Sequence, residues 1–179
     1  MSFLIERARP AHVKCLNELI PCSARTLSTG FYTPAQVEGA IKEIFGIDTQ
    51  LIADGTYFVA RHGATIVGCG GWSRRRTLYG GDQMKGHQDD LLNPEKEPAR
   101  IRAFFVHPEW GRRGIGSTLM QTCEKAALEG GFSALALVAT LPGEQLYRRF
   151  GYEVQKRYDH ILSCGLHFPL VSMEKKLSS

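Results

Sequence analysis

Several features that would exclude an ordinary globular domain are missing from this sequence of 179 residues. Its longest unbroken apolar run, Ala134 to Ala139, has six residues, whereas a transmembrane helix needs about 20. Near the start, Phe3-Leu4-Ile5 is followed at once by charged residues rather than by an apolar stretch, so we expect no signal peptide. These absences predict a chain without a membrane partner.

Cysteine and histidine occur without the spacings that carry chemistry. The sequence contains no C-x-x-C pair and no H-E-x-x-H motif, so we expect no metal site. The cysteines are scattered and odd in number, which predicts reduced thiols and a cytoplasmic location. They are Cys15, Cys22, Cys69, Cys123 and Cys164.

The composition is typical of a soluble globular protein. Apolar residues make up 43% and charged residues 22% of the chain, close to the usual average. The 22 Lys and Arg exceed the 18 Asp and Glu by a net charge of +4, which is too small an excess to indicate a nucleic acid partner. We interpret residues 1–179 as one domain, long enough to bury a core without a metal or a disulfide.

Apolar periodicity predicts a mixed α/β sheet in that domain. A Thr33-x-x-Gln36 capping box with Pro34 at the first helical position marks the start of one helix, and we expect Gly46 to close it in a left-handed conformation. We expect the other helices at 10–20, 115–128 and from about 142 to 150. Strands are predicted at 3–8, 56–62, 65–72, 101–106, 134–139, 152–160 and 167–175.

A long segment at 74–99 shows neither helix nor strand periodicity. It contains Arg74-Arg75-Arg76 and several acidic residues. A loop of this length in a compact domain is usually functional or mobile. We interpret it as an insertion rather than a linker, because neither flank could fold alone.

The segment from Phe104 to Ser117 carries the strongest functional signal. A buried strand runs into a glycine- and arginine-rich turn, and the turn opens a helix. The first N–H groups of a helix have no partner within it, so such a turn can bind phosphate. A P-loop is excluded because no Lys-Ser or Lys-Thr follows Gly114, and a Rossmann fingerprint is excluded because Leu119 stands where its third glycine belongs.

The remaining alternative is an acetyl-CoA pyrophosphate loop. The order V-x-P, R-R-G-x-G and a long helix resembles motif A of the GNAT N-acetyltransferase superfamily. The later segment LYRRFGY, Leu146 to Tyr152, is similar to a second signature of that family. The resemblance implies an α/β (α+β) fold: a single domain with a mixed, mostly antiparallel central sheet and helices on both faces.

The resemblance also implies a site for acetyl-CoA as cosubstrate, with no metal. The strand end would bind the pantetheine through its backbone, the turn and helix start would bind the pyrophosphate, and Tyr147 would protonate the leaving thiolate. The strand residues are Phe104, Phe105 and Val106. The turn and helix residues are Arg112, Arg113, Gly114, Ile115, Gly116 and Ser117.

Direct transfer to an amine requires an oxyanion donor and a base. We expect an exposed backbone N–H near Phe105 to serve as the donor. The base is not apparent, because the strand IRAFFV carries no acid where many family members have a Glu. The nearby candidates fit solvated surface groups better than a base; they are Asp82, His87, Asp89, Asp90, Glu97 and Glu109.

Two further departures from the family pattern concern single positions. Gly111 replaces the first polar residue of the pyrophosphate motif, and the Asn often found before the tyrosine is missing. The basic run after Trp72 could belong to the acceptor side, although a solvated strand end fits it better.

We therefore expect a cytoplasmic N-acetyltransferase whose acceptor is a small-molecule amine. A peptide acceptor and a non-catalytic acyl-CoA sensor on the same fold remain alternatives. A nucleic-acid binder that uses the three arginine-containing segments is a weaker one, because no nucleic-acid motif is present. An edge strand at 167–175 would allow pairing with a second copy as a homodimer.

Overall fold

The computed structural model describes residues 2–86 and 89–178, so the base candidate His87 lies outside the described residues. The strands are β1 (Leu4–Arg7), β2 (Tyr57–His62), β3 (Thr65–Ser73), β4 (Ala99–Val106), β5 (Ala134–Thr140), β6 (Glu153–Ile161) and β7 (His167–Lys176). The α-helices are α1 (Val13–Leu27), α2 (Pro34–Glu43), α3 (Thr49–Ala53), α4 (Ile115–Glu129) and α5 (Glu144–Arg149). No helix within the described ranges combines the length and the apolar character that a membrane span requires.

The strands form one sheet in the order β1-β2-β3-β4-β5-β7-β6. Among the described strands only the β4–β5 pair is parallel, and the other five pairs are antiparallel. The predicted mixed, mostly antiparallel sheet is therefore confirmed. The expectation of an edge strand at 167–175 is wrong, because β7 lies between β5 and β6. The buried residues of β7, among them Phe168 and Met173, need a neighbouring strand on each side of β7. Strand β6 is mostly polar and exposed and forms the edge of the sheet.

Helices cover both faces of the sheet, as predicted. On one face Leu16 and Ile20 of α1 pack with Val59 of β2 in one buried cluster. On the other face Leu119 of α4 packs with Leu137 of β5 in a second cluster. The sheet therefore separates two cores, and a site that connects its faces must pass between strands.

The helix boundaries follow the sequence signals only in part. The capping box of α2 is confirmed, since Thr33 Oγ1 accepts the Gln36 amide at 3.2 Å and Gln36 Oε1 accepts the Thr33 amide at 2.8 Å. The prediction for Gly46 is wrong: α2 ends at Glu43, and a left-handed backbone does not occur at Gly46. The first predicted helix begins as a 3₁₀ turn at Pro10–His12, and α1 then continues to Leu27 through an internal Pro21.

The segment between β3 and β4 is anchored to the sheet by a buried charge cluster. Arg102 of β4 donates to Asp48 Oδ2 at 2.9 Å and to the carbonyl oxygens of Thr77 and Gly80 at 3.2 and 2.6 Å. Lys85 Nζ lies 2.5 Å from the other carboxylate oxygen of Asp48. The inserted loop is thus held against the sheet at residues 77–85.

Candidate active site

A bulge in β4 shapes the centre of the site. Cys69 of β3 lies opposite Phe105 and Gly71 lies opposite Arg102. Between these two pairs β4 therefore contains one residue more than β3. Ala103 takes up the difference with a φ of 53°. Such a backbone costs a non-glycine residue about 1–3 kcal/mol, and strain of this kind concentrates at functional sites.

The bulge turns one backbone N–H away from the sheet. The Ala103 carbonyl accepts the Tyr57 hydroxyl at 3.0 Å and faces the Cys69 thiol at 3.9 Å. Because a trans peptide holds its C=O and N–H on opposite sides, the Phe104 N–H points away from Tyr57 and Cys69. Among the backbone groups near Phe105, the Phe104 N–H is the better candidate for the expected donor, since the Phe105 amide faces Cys69 on β3.

Strands β4 and β5 diverge immediately before the bulge. Their parallel pairing joins Ala99 with Leu135 and Arg100 with Ala136, and no further pair is found along the two strands, which are described in full. A cavity of about 460 Å³ opens between them. One side of the cavity is formed by β4, β5 and the starts of α4 and α5, with Ala103, Phe104, Val106, Gly116, Val138, Thr140, Gly143 and Tyr147. The opposite side, towards α1, is formed by Ala24, Leu27, Phe31, Phe45, Leu78 and Tyr79.

Tyr147 lies in this cavity on α5. Its ring contacts Phe104 edge-on at 6.3 Å and Tyr152 at 6.0 Å, and its side chain is almost fully buried. Burial raises the pKa of Tyr147 well above its ordinary value. The phenol is therefore protonated at neutral pH and available as a hydrogen-bond donor.

The predicted phosphate turn joins β4 to α4 and contains left-handed backbone conformations. A 3₁₀ turn at Pro108–Trp110 is followed by left-handed residues Arg112 (φ 62°) and Gly114 (φ 83°), and Gly114 caps the N-terminus of α4. A Cβ at Gly114 would meet no atom within 4 Å, so the backbone is open to an approaching group. The dipole of a 15-residue helix favours an anion at this position.

The side chains of the turn divide into two groups. Arg112 and Arg113 are exposed, and Arg112 also lines the cavity, while the Arg113 guanidinium lies 5.0 Å from the Trp110 ring. Ile115 is fully buried and occupies the space that a side chain at Gly68 would need. Ile115 therefore anchors the helix start to the sheet and offers a ligand only its backbone, and Ser117 is half-buried one residue beyond Gly116.

The strand end contributes backbone groups that differ in availability. The Val106 N–H donates to Ser23 Oγ of α1 at 3.2 Å, and the Phe105 ring packs edge-on against Phe45 at 5.8 Å. Ser23 and Tyr57 are functional neighbours that the sequence did not reveal, because each acts through a contact with β4 from a distant segment.

The acidic candidates for the base lie away from the cavity. None of its described lining residues is an Asp or Glu. Glu97 pairs with Arg76 at 2.6 Å, and Asp82 and Asp89 accept the backbone amides of Thr49 and Thr77. Asp90 and Glu109 are exposed.

The basic run after Trp72 is largely used within the fold. Arg75 donates to both carboxylate oxygens of Asp54 at 2.7 and 3.0 Å, and the Arg74 guanidinium lies 5.4 Å from the Trp72 ring. Arg76 is the partner of Glu97. The run therefore fastens the start of the inserted loop and does not line the cavity.

Comparison with solved structures places this geometry in a known fold. The chain is similar to a GCN5-related N-acetyltransferase from Rhodopseudomonas palustris, with 19% identity over 99% of this chain and 97% of the other and a TM-score of 0.69. It is also similar to the PaiA N-acetyltransferase of Thermoplasma acidophilum in complex with coenzyme A, with 16% identity, 98% and 99% coverage and a TM-score of 0.67. A third similar structure is the ribosomal-protein-S18-alanine N-acetyltransferase of Escherichia coli, with 11% identity, 99% and 96% coverage and a TM-score of 0.62.

Sequence comparison identifies the family itself. Comparison with curated protein sequences gives no match. The family model described as the acetyltransferase (GNAT) family matches residues 4–152, which include β4, the turn, α4 and α5. The chain therefore belongs to the GNAT acetyltransferase family.

Proposed function

We propose that this protein is an acetyl-CoA-dependent N-acetyltransferase that acylates the amine of a small molecule. The observation that carries the proposal is the cavity between β4 and β5, whose walls include Phe104 and Tyr147. The Phe104 N–H is turned away from Tyr57 by the hydrogen bond at the Ala103 carbonyl. A donor for an oxyanion and a donor for a thiolate are the two groups that direct transfer from a thioester requires.

Each part of the site has one role in this reaction. The N-terminus of α4 at Gly114 and Gly116 binds the pyrophosphate, with Arg112 and Arg113 close by. The diverging strands admit the pantetheine arm. The neutral amine attacks the acetyl carbon, the Phe104 N–H stabilises the oxyanion, and Tyr147 donates to the sulfur as the C–S bond breaks.

The walls on the α1 side favour a compact amine with an apolar body. Leu27, Phe31 and Leu78 line that side and are 41%, 53% and 40% exposed. A polyamine or an aminoglycoside would require carboxylates to balance its charges, and the described lining carries none. A peptide N-terminus is the competing acceptor, since one similar structure is an enzyme that acts on a ribosomal protein.

Two glycines with matched backbones test the cofactor site. Gly114 and Gly165 have φ values of 83° and 84°, and neither has an atom within 4 Å of its Cβ position. Gly114→Glu should abolish acetyl-CoA binding in calorimetry because it places a carboxylate at the phosphate site. Gly165→Glu introduces the same backbone strain in the β6–β7 turn, and this variant should bind acetyl-CoA with normal affinity. Equal affinity in both variants would contradict the assignment.

Thiol release during turnover tests the acceptor. We expect aromatic and aliphatic monoamines to be acetylated faster than spermidine, aminoglycosides and N-terminal peptides. Faster turnover of a peptide would move the assignment to protein acetylation, and acetyl-CoA binding without turnover of any amine would favour a sensor.

All five cysteines are free, which supports our proposal of a reducing, cytoplasmic location.

A further inference from the structure

The proposed reaction leaves one requirement without an assigned group. An alkyl ammonium must lose a proton before its nitrogen can attack, because an amine with a pKa of about 10.4 is mostly protonated at pH 7. No carboxylate lies among the described residues that line the cavity. A neutral side chain at the cavity wall with an outlet to solvent can receive this proton.

Tyr79 of the inserted loop satisfies the first condition. It lines the cavity between Leu78 and Gly80 and is half-buried. Its hydroxyl lies 2.9 Å from Nδ1 of His160, on the edge strand β6, and the two rings meet edge-on at 5.7 Å. Burial raises the pKa of Tyr79, so this phenol can pass a proton on but does not hold a charge.

His160 and Glu43 satisfy the second condition. His160 Nε2 lies 3.9 Å from Oε2 of Glu43, the last residue of α2, and the two side chains are 19% and 26% exposed. Glu43 Oε1 accepts the Ser163 amide at 2.7 Å. That hydrogen bond first, and the neighbouring His160 as well, lower the pKa of Glu43, so its carboxylate is charged at neutral pH and can stabilise an imidazolium.

Other polar groups lie near Tyr79 and His160, but none of the described ones offers His160 a second carboxylate. A hydrogen bond with the Tyr158 side chain lowers the pKa of Tyr79 against the larger effect of burial. Lys156 lies 6.0 Å from the Tyr158 ring. Glu43 is the carboxylate within salt-bridge distance of His160 among the described residues.

We propose that Tyr79, His160 and Glu43 form the path that carries the proton of the acceptor ammonium from the cavity to solvent. The inference rests on the proposed function and assigns its missing base. The ammonium gives a proton to Tyr79 Oη while the Tyr79 proton moves to His160 Nδ1. The imidazolium, paired with Glu43, releases its Nε2 proton to water. The nitrogen loses a second proton after attack, so that one proton ends on the thiol of coenzyme A and the other in solvent.

The pH dependence of kcat/KM tests the path. Histidine changes charge between about pH 5 and 8, and only neutral imidazole can accept the proton, so activity of the wild type should fall towards acid. Tyr79→Phe and His160→Gln should each lower kcat/KM about 100-fold at pH 7, and their activity should instead follow the fraction of acceptor present as free amine, rising up to the pKa of the amine. Glu43→Gln keeps an acceptor for Ser163 but loses the charge that stabilises the imidazolium, so it should also lower kcat/KM at pH 7.

Two controls separate a proton path from a structural role. His167→Gln alters the exposed His167–Asp159 pair at 3.0 Å on the same hairpin and should leave the pH profile unchanged. An acceptor fluorinated beside its amine is already neutral at pH 7, so the deficits of Tyr79→Phe and His160→Gln should disappear with it. Deficits that persist, or variants with the wild-type pH profile, would overturn the proposal and leave the proposed function standing.

The hydrogen bond can also be tested without turnover. Donation by Tyr79 requires His160 to be the Nε2–H tautomer, which ¹⁵N imidazole shifts report; the His160→Gln spectrum assigns the signal. We expect this tautomer in the wild type and its loss in Tyr79→Phe. An Nδ1–H tautomer in the wild type would overturn the path, even if no acceptor were found and the proposed function failed.

Discussion

At the residue scale, Tyr147 is suited to donate a hydrogen bond rather than to complete a proton transfer by itself. Its raised pKa makes the phenol a weaker acid than tyrosine in water. A hydrogen bond to a charged group contributes about 1.5–3 kcal/mol, so Tyr147→Phe should lower kcat about 10- to 100-fold, with an unchanged Kd for acetyl-CoA. Steady-state thiol release and calorimetry measure the two quantities. A wild-type kcat in the Tyr147→Phe variant would show that Tyr147 takes no part in the reaction.

Tyr57 illustrates how a fully buried side chain can serve the site through the backbone. Its hydroxyl holds the Ala103 carbonyl, and this contact turns the Phe104 N–H of the same peptide away from Tyr57. We expect Tyr57→Phe to lower the free energy of unfolding by about 1 kcal/mol and also to lower kcat, because the strained peptide can then rotate. Urea denaturation and turnover assays check both. Reduced stability with unchanged kcat would show that the contact is structural only.

At the element scale, the sequence predicted structure best where a signal is local. The capping box at Thr33 depends on two residues three positions apart, and it is present as expected. The end of the same helix was predicted wrongly, because Phe45 leaves the helix to pack between Phe105 and Phe168. Tertiary contacts of that kind have no local signature, and the five residues of α3 are too few to show a helical period.

The cap of α2 also has a measurable consequence for that helix. Thr33→Ala removes the oxygen that accepts the Gln36 amide and should lower the free energy of unfolding by about 1 kcal/mol. Thr33→Ser retains the oxygen and is the matched control, with an expected change near zero. Chemical denaturation measures both variants. Equal losses in Ala and Ser would mean that the methyl group, rather than the cap, stabilises the helix.

At the scale of the whole molecule, the order of the strands and of the longer helices could be predicted, but the positions of three features could not. Strand β7 lies between β5 and β6. This pairing depends on which of its residues are buried by neighbouring elements rather than on the apolar pattern of the strand itself. The bulge at Ala103 contains neither glycine nor proline, so nothing in IRAFFV marks it. The path from Tyr79 to Glu43 joins the inserted loop, β6 and α2, which are far apart along the chain.

The buried cluster at Asp48 couples the inserted loop to the stability of the whole protein. Asp48 and Arg102 are both almost fully buried, and Lys85 extends the cluster to the loop. Asp48→Asn leaves two cations without their carboxylate, and breaking a buried pair in this way costs about 3–5 kcal/mol. We therefore expect a large fall in the free energy of unfolding, and faster amide exchange in residues 77–85 than elsewhere.

A surface pair supplies the comparison for that variant. Glu129→Gln breaks the exposed Lys125–Glu129 pair at 3.9 Å and should change the free energy of unfolding by less than about 0.5 kcal/mol. Denaturant titration and hydrogen exchange distinguish the two variants. If Asp48→Asn were as mild as Glu129→Gln, the loop would be held by the hydrogen bonds from Arg102 to the Thr77 and Gly80 carbonyls rather than by the Asp48 carboxylate.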